Sequence, residues 1–138
     1  MEEKRRVNCA KIIDVAKRNL DEMRSMFASR HYYGTVNRAY YAMFHAVSAL
    51  LFLDGKRYKK HSGVIAAFGR DYAQAGLAPK EYHKLLMKAY DTRNKADYDV
   101  DMVIDRKVAE LYCQKAEELV LFIEKLVMEK LAEDKPIS

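Results

Sequence analysis

The sequence predicts an all-α protein, an antiparallel up-and-down four-helix bundle with a short extra helix. Three observations predict it. Half of the 138 residues are hydrophobic and a third are charged, yet there are only five glycines and two prolines, so the elements must be few and long. Apolar residues recur with the 3.6-residue period of a helix along most of the chain, and no segment requires the two-residue alternation of a strand. A chain of this length is expected to form one domain, here residues 1–131, with a core that needs no cross-links, and a tail at 132–138 that frays.

The first helix is expected over residues 2–28, with Val7, Ala10, Ile12, Ile13, Ala16, Leu20, Met23 and Phe27 inward and mostly charged residues between them. SRHYYGT breaks the pattern, and Gly34 is the expected turn residue. The second helix runs from Thr35 to Leu53, turning Val36, Tyr40, Met43, Phe44, Val47, Leu50 and Leu51 to the core, and Asp54-Gly55 stops it. After the basic loop KRYKK, Ser62 is the expected N-cap of a short third helix that Gly76 closes. Pro79 suits the start of a fourth helix over 80–97. DYDVDMVID is a polar connection in which Asp101 or Asp105 caps the last helix, expected over 105–131 and roughly 40 Å long.

Several function classes fall away on composition. Cys9 and Cys113 are far apart and lack CxxC spacing, which fits small core hydrophobes better than a disulfide framework or zinc site. MEEKRRVNCAK carries no apolar leader segment, and AYYAMFHAVSALLFL (residues 39–53) is too short to cross a bilayer and is interrupted by His45 and Ser48. A cytoplasmic protein without membrane contact is expected. The net charge of +5 and the cluster Lys56, Arg57, Lys59 and Lys60 suit a polyanionic partner, although many proteins without one share such a balance.

A helical bundle can house a di-iron centre, but that needs Glu-x-x-His pairs and none occurs here. GKRYKKHSG lacks the spacing of a phosphate loop, and His61-Ser62 makes no nucleophile elbow. No metal or cofactor is therefore expected. His31 and His83 are assigned to a turn and an outer helix face, and His45 to the core or an interface.

Polar residues on inward-facing stripes carry more information. Asn37, Tyr41, His45 and Ser48 recur along one face of the second helix. In the fourth, Tyr82, Leu85, Leu86 and Ala89 form an apolar face whose continuation reaches Arg93 and Ala96, with Asp97 one turn beyond Arg93. A cation on such a face is costly unless it is paired. Arg93 either ties two helices together or offers its planar fork to a phosphate.

VNRAYYAMFHAVSALL, HSGVIAAFGRDY and AYDTRNKADYDV, in this order and spacing, resemble the HEPN family, above all its small stand-alone prokaryotic members. The likeness spans about residues 7–128. It implies a helical bundle, a homodimer, and, in the family's ribonucleases, an arginine-to-histidine motif facing a cleft between protomers. Arg93-Asn94 matches the start of that motif and Asn37 a polar cleft residue of the second helix. Where the histidine belongs, this chain has Tyr98. A phenol, with its pKa near 10, does not exchange protons at neutrality as imidazole does.

The resemblance thus implies nucleotide or RNA binding ahead of cleavage. Arg93, Asn37, Tyr41, Asp97, Lys59 and Lys60 are the expected ligand contacts, and Tyr98 the stand-in if catalysis occurs. It further implies a minimal nucleotidyltransferase partner in a toxin–antitoxin or defence module. An active ribonuclease toxin and a purely structural homodimeric subunit remain the alternatives.

Overall fold

The apolar period becomes five α-helices in the computed structural model, which describes residues 3–133. They are α1 (Glu3–Ala28), α2 (Tyr32–Leu53), α3 (His61–Phe68), α4 (Lys80–Tyr98) and α5 (Arg106–Glu133), and a π turn, Gly69–Ala73, prolongs α3. No strand occurs among the described residues. The four long helices form the bundle and α3 is the short extra one. Ala132 and Glu133, expected in the tail, complete α5; the rest of that expected tail, residues 134–138, lies outside the described residues.

α2 is the centre of the packing. α1, α3, α4 and α5 all pack on it. Twelve of its 22 residues are buried, so only a narrow strip of its surface is left for anything but core. Ala39, Ala42, Ala46 and Ala49 are fully buried, and their small side chains let neighbouring helices come close. The Cys9 thiol of α1 consequently reaches the Ala49 carbonyl, 3.5 Å away. α4 meets α5 through longer side chains, the Tyr82 and Phe122 rings at 5.3 Å and the Thr92 and Tyr112 hydroxyls at 3.0 Å. A surface groove of about 580 Å³ runs between those two helices.

The structure corrects several local expectations. The turn before α2 falls at Ser29-Arg30, where Arg30 adopts a left-handed φ of 63°, and Gly34 lies inside α2. Gly34 serves packing: a Cβ there would stand 2.6 Å from the Met26 sulfur. Ser62 does not cap α3; the N-cap is Lys60, whose carbonyl accepts from the Gly63 and Val64 amides. Val7 and Ala10 face solvent, because the buried stripe of α1 is Cys9, Ile13, Ala16, Leu20 and Met23. Val108 and Leu111 line the α4–α5 groove, and Leu111 is half exposed. His83, expected on an outer face, packs its ring against Gly69 and Phe68.

Two carboxylates secure helix ends. The Asp54 carboxylate, at the end of α2, accepts from the Tyr72 hydroxyl and pairs with Lys130 of α5 at 2.8 Å. Asp105 caps α5, its Oδ1 accepting the Val108 amide at 3.0 Å. Among the close contacts of the fold, the Gly69–His83 approach is the least forgiving. A Cβ at Gly69 would stand 2.5 Å from the imidazole, and a rigid ring cannot yield as a methionine tip can. Gly69→Ala should therefore cost about 1–3 kcal/mol in urea unfolding, and most of the loss should return when His83→Ala is added.

Candidate nucleotide and RNA site

The polar strip of α2 survives folding as the exposed margin of an otherwise buried helix. At its N-terminal end, Asn37 and Arg93 line one small cavity of about 130 Å³ with Tyr33, Val36 and Ala96. The Asn37 side-chain oxygen is buried there without a hydrogen-bond partner. Tyr33 holds this end together: its hydroxyl donates to the Ala96 carbonyl at 3.0 Å, satisfying an acceptor that the last turn of α4 leaves open.

Arg93 is half buried and lies across from α4 onto α2. Its guanidinium carbon is 5.0 Å from the centre of the Tyr41 ring and 5.8 Å from that of Tyr40. A second guanidinium, Arg38, is 5.1 Å from the Tyr41 ring. The two cations differ in their restraints. Arg38 is tied to α1 by Asn19 at 3.1 Å and Glu22 at 3.2 Å. Arg93 donates to the Asn94 amide oxygen at 3.3 Å, and among the described residues no carboxylate pairs with it. The Asp97 side chain lies outside the described residues, so that contact has no structural account.

Further along the strip, Tyr41 stacks on His45, and Phe44 stacks on His61 with ring centres 4.0 Å apart. His61 comes from the start of α3, and its Nδ1 is 2.7 Å from the hydroxyl of fully buried Tyr40. Burial holds the Tyr40 phenol well above its ordinary pKa, so it stays neutral. Burial, and then the charge of Arg93, pull the His61 imidazole below its usual 6.5. His45 is lowered too, by burial first and then by His61 and Arg38. Both imidazoles are thus biased towards the neutral form in a cationic field.

The strip ends in a cavity of about 540 Å³ between α1, α2 and the loop before α3. Asn8, Lys11, Arg57, Lys59, His45, Ser48 and His61 contribute to its polar lining, Phe44, Phe52 and Tyr58 to its aromatic walls, and among the described residues no carboxylate lines it. Lys56 also borders the cavity but is bound to Asp71 at 2.7 Å, a carboxylate shared with Arg70. Lys60 is exposed at the cap of α3. Tyr98 is 88% exposed at the end of α4, in a shallow depression with Asn94, Lys95 and Val100. It does not line the Asn37–Arg93 cavity.

The structure therefore gathers Asn37, Tyr41 and Arg93, sets Lys59 in the basic cavity, and leaves Tyr98 at the periphery. Sequence reasoning missed His61, Tyr40, Arg38 and Lys11. The residues were plain, but nothing in linear spacing joins position 61 to position 93. No cluster of three or more His, Cys, Asp and Glu side chains forms among the described residues, and no described helix is long and apolar enough to cross a membrane.

Residues 10–126 match the family model of the HEPN domain. The chain belongs to the HEPN family. Its relatives agree. This HEPN protein is 37% identical over 120 residues to a Methanocaldococcus jannaschii protein bearing the name "Putative toxin MJ0605", covering 87% of this chain and 89% of that one. It is 35% identical over 112 residues to a Thermotoga maritima "UPF0332 protein", covering 81% and 85% respectively. A second M. jannaschii protein, "Putative toxin MJ0142", is 33% identical over 105 residues, covering 76% of this chain and 71% of that one. These names place the HEPN protein among toxin-like chains, and the family match spans both Asn37 and Arg93.

The field at His61 can be measured directly. Arg93→Met keeps the bulk but removes the charge that disfavours imidazolium. Followed by NMR through a pH titration, the His61 pKa should lie below 6.5 in the parent and move upward in the variant. An unchanged value would detach Arg93 from this imidazole.

Proposed function

We propose that this HEPN protein binds single-stranded RNA along the polar strip of α2, with one backbone phosphate on Arg93. The observation that carries the reading is the contrast between its two arginines. Arg38 has a carboxylate partner, whereas half-buried Arg93 has none among the described residues. A guanidinium held there by two phenol rings keeps its planar fork for an incoming anion, and phosphate oxygens match that fork. The unpartnered Asn37 oxygen beside it accepts a donor, which a ribose hydroxyl supplies.

The cavity at the other end of the strip takes the continuing strand. Lys11, Arg57 and Lys59 attract phosphates, and Phe52 and Tyr58 offer faces on which bases stack. From Asn37 to Ser48 the strip is roughly 17 Å long at 1.5 Å per residue, room for more than one nucleotide. A mononucleotide is the smallest ligand of the same site.

Assembly belongs to the same proposal. Two copies meet across α2 and α4, so that their Asn37 and Arg93 side chains share one cleft, the arrangement that the HEPN likeness implies. The toxin names of the relatives fit a cytoplasmic protein that acts on RNA. A minimal nucleotidyltransferase is the partner such a module implies.

Arg93→Ala should weaken binding of a mixed-sequence single-stranded RNA by about 1.5–3 kcal/mol. The same change should cost only about 0.5–2 kcal/mol of stability, the worth of its packing on the two rings. Replacing Lys11, Arg57 and Lys59 by Ser should instead flatten the salt dependence of binding. An Arg93→Ala protein that binds as tightly as the parent would remove Arg93 from the site. In light scattering, the chain should behave as twice its 16.1 kDa mass, and a purely monomeric species would defeat the shared cleft.

A further inference from the structure

α4 and α5 meet through side chains, the Tyr82–Phe122 ring contact and the Thr92–Tyr112 hydrogen bond among them, and a groove of about 580 Å³ opens between the helices. From Glu81 to Thr92 it follows α4 for roughly 17 Å, about three helical turns. Tyr82 and Leu85 of α4 and Val108, Leu111 and Tyr112 of α5 line it, and Val103 of the connection borders it. The Thr92 and Tyr112 hydroxyls satisfy each other, so the lining between the helices is mainly apolar. The fold has gathered these side chains without covering all of them: Leu111 is half exposed and Val103 is 82% exposed.

The charged groups around this apolar surface are mostly cations. Lys84, Lys88 and Lys115 are exposed along it, against one lining carboxylate among the described residues, Glu81. Lys115 lies 3.7 Å from Glu118, a contact too long and too exposed to fix it. Lys84 and Lys88 make no ion pair among the described residues. We propose that the groove is the docking site for an amphipathic helix of a partner protein, with aliphatic side chains on its buried face and acidic residues on its flanks.

Shape and charge select this occupant. A helix laid in a groove anchors side chains at i, i+3, i+4 and i+7, a spacing that the length of the groove accommodates. Its acidic flanks then meet Lys84 and Lys88 on the α4 side and Lys115 on the α5 side. A second copy of this chain, laid groove to groove about a twofold axis, would set lysines against lysines. A bilayer surface is flat, so it would touch the exposed lysines and Val103 without filling the cleft. A small apolar ligand would fill the cleft and leave the lysines without an anion. The site is independent of the RNA-binding strip, because Arg93 lies on the Tyr40 and Tyr41 rings of α2 and does not line this groove.

The test uses the full chain and a fluorescein-labelled helical peptide of about 15 residues, with leucines at i, i+3, i+4 and i+7 and glutamates on its flanks. A control peptide carries lysines in place of the glutamates. The acidic peptide should bind, more weakly as salt rises, and should move the amide NMR signals of residues 81–92 and 102–115. Leu111→Glu should weaken that binding by about 10-fold or more. Lys84→Glu combined with Lys88→Glu should weaken it by a similar factor and improve binding of the lysine peptide. All three positions are exposed, so the melting temperatures should stay near the parent's; if Leu111→Glu fails to fold, Val103→Asp serves in its place. Binding of neither peptide, equal binding of both, or signals that move elsewhere overturns the proposal. So does a parent that captures phosphatidylglycerol vesicles but not the acidic peptide, which would make the surface a membrane contact. A Leu111→Glu chain whose mass in light scattering falls from dimer to monomer overturns it too, by assigning the groove to a second copy.

Discussion

The constraint on which this fold depends is the burial of α2 on nearly every side. One helix packs against all the others, so its sequence must be apolar almost all round, with alanines where neighbours come closest. A helix buried in this way has little surface on which to carry polar chemistry. What remains is one strip, Asn37, Tyr41, His45 and Ser48, whose members are each only half buried. Tyr40 lies at the edge of that strip. Fully buried, it sets its hydroxyl 2.7 Å from Nδ1 of His61 and so fastens α3 to the bundle.

Electrostatics then give the strip its character. Two guanidiniums flank Tyr41, two imidazoles are pushed towards neutrality, and the cavity beyond is lined by cations with no carboxylate among the described residues. Asp71, an acidic side chain close to the loop before α3, is already engaged by Arg70 and Lys56, which hold its carboxyl far below the usual range. Like charges gathered in this way repel one another, and an anion relieves the repulsion. A bound phosphate would also ease the field that Arg93 exerts on His61, so the proton affinity of the imidazole would rise as the ligand arrives.

The fold was legible because its signal is periodic and repeated over tens of residues. Every helix was anticipated, Asp105 was among the two expected caps of α5, and Gly76 closes the α3 segment with a φ of 77°. Errors arose where one residue serves two purposes. Gly34 suggested a turn, yet its missing Cβ makes room for Met26, while the turn itself fell to Arg30, a residue that seldom adopts a positive φ. Within the candidate site, Asn37, Tyr41 and Arg93 stand out in the sequence because each breaks or edges an apolar stripe. His61 does not, since it lies at the start of a short helix and gains its meaning only when α3 folds back over Tyr40 and Phe44. Spacing along a chain reports neighbours on one helix and is silent about those brought together across a loop.

The clasp at Asp54 gives the C-terminal helix a hold on the base of the cationic loop. Asp54 lies at the end of α2, just before the segment that carries Arg57, Lys59 and finally His61, and one of its two partners is Lys130, in the closing turn of α5. Arg6 seizes the same turn from the other side, its guanidinium donating to the Leu131 carbonyl at 3.1 Å. Trimming, tagging or docking at that extremity would tug on a carboxylate a short way upstream of an imidazole-bearing helix. The start of α1, the end of α5 and the end of α2, from which the cationic loop departs, thus meet at one joint, so a protein gripping the far end of α5 would pull at the root of that loop.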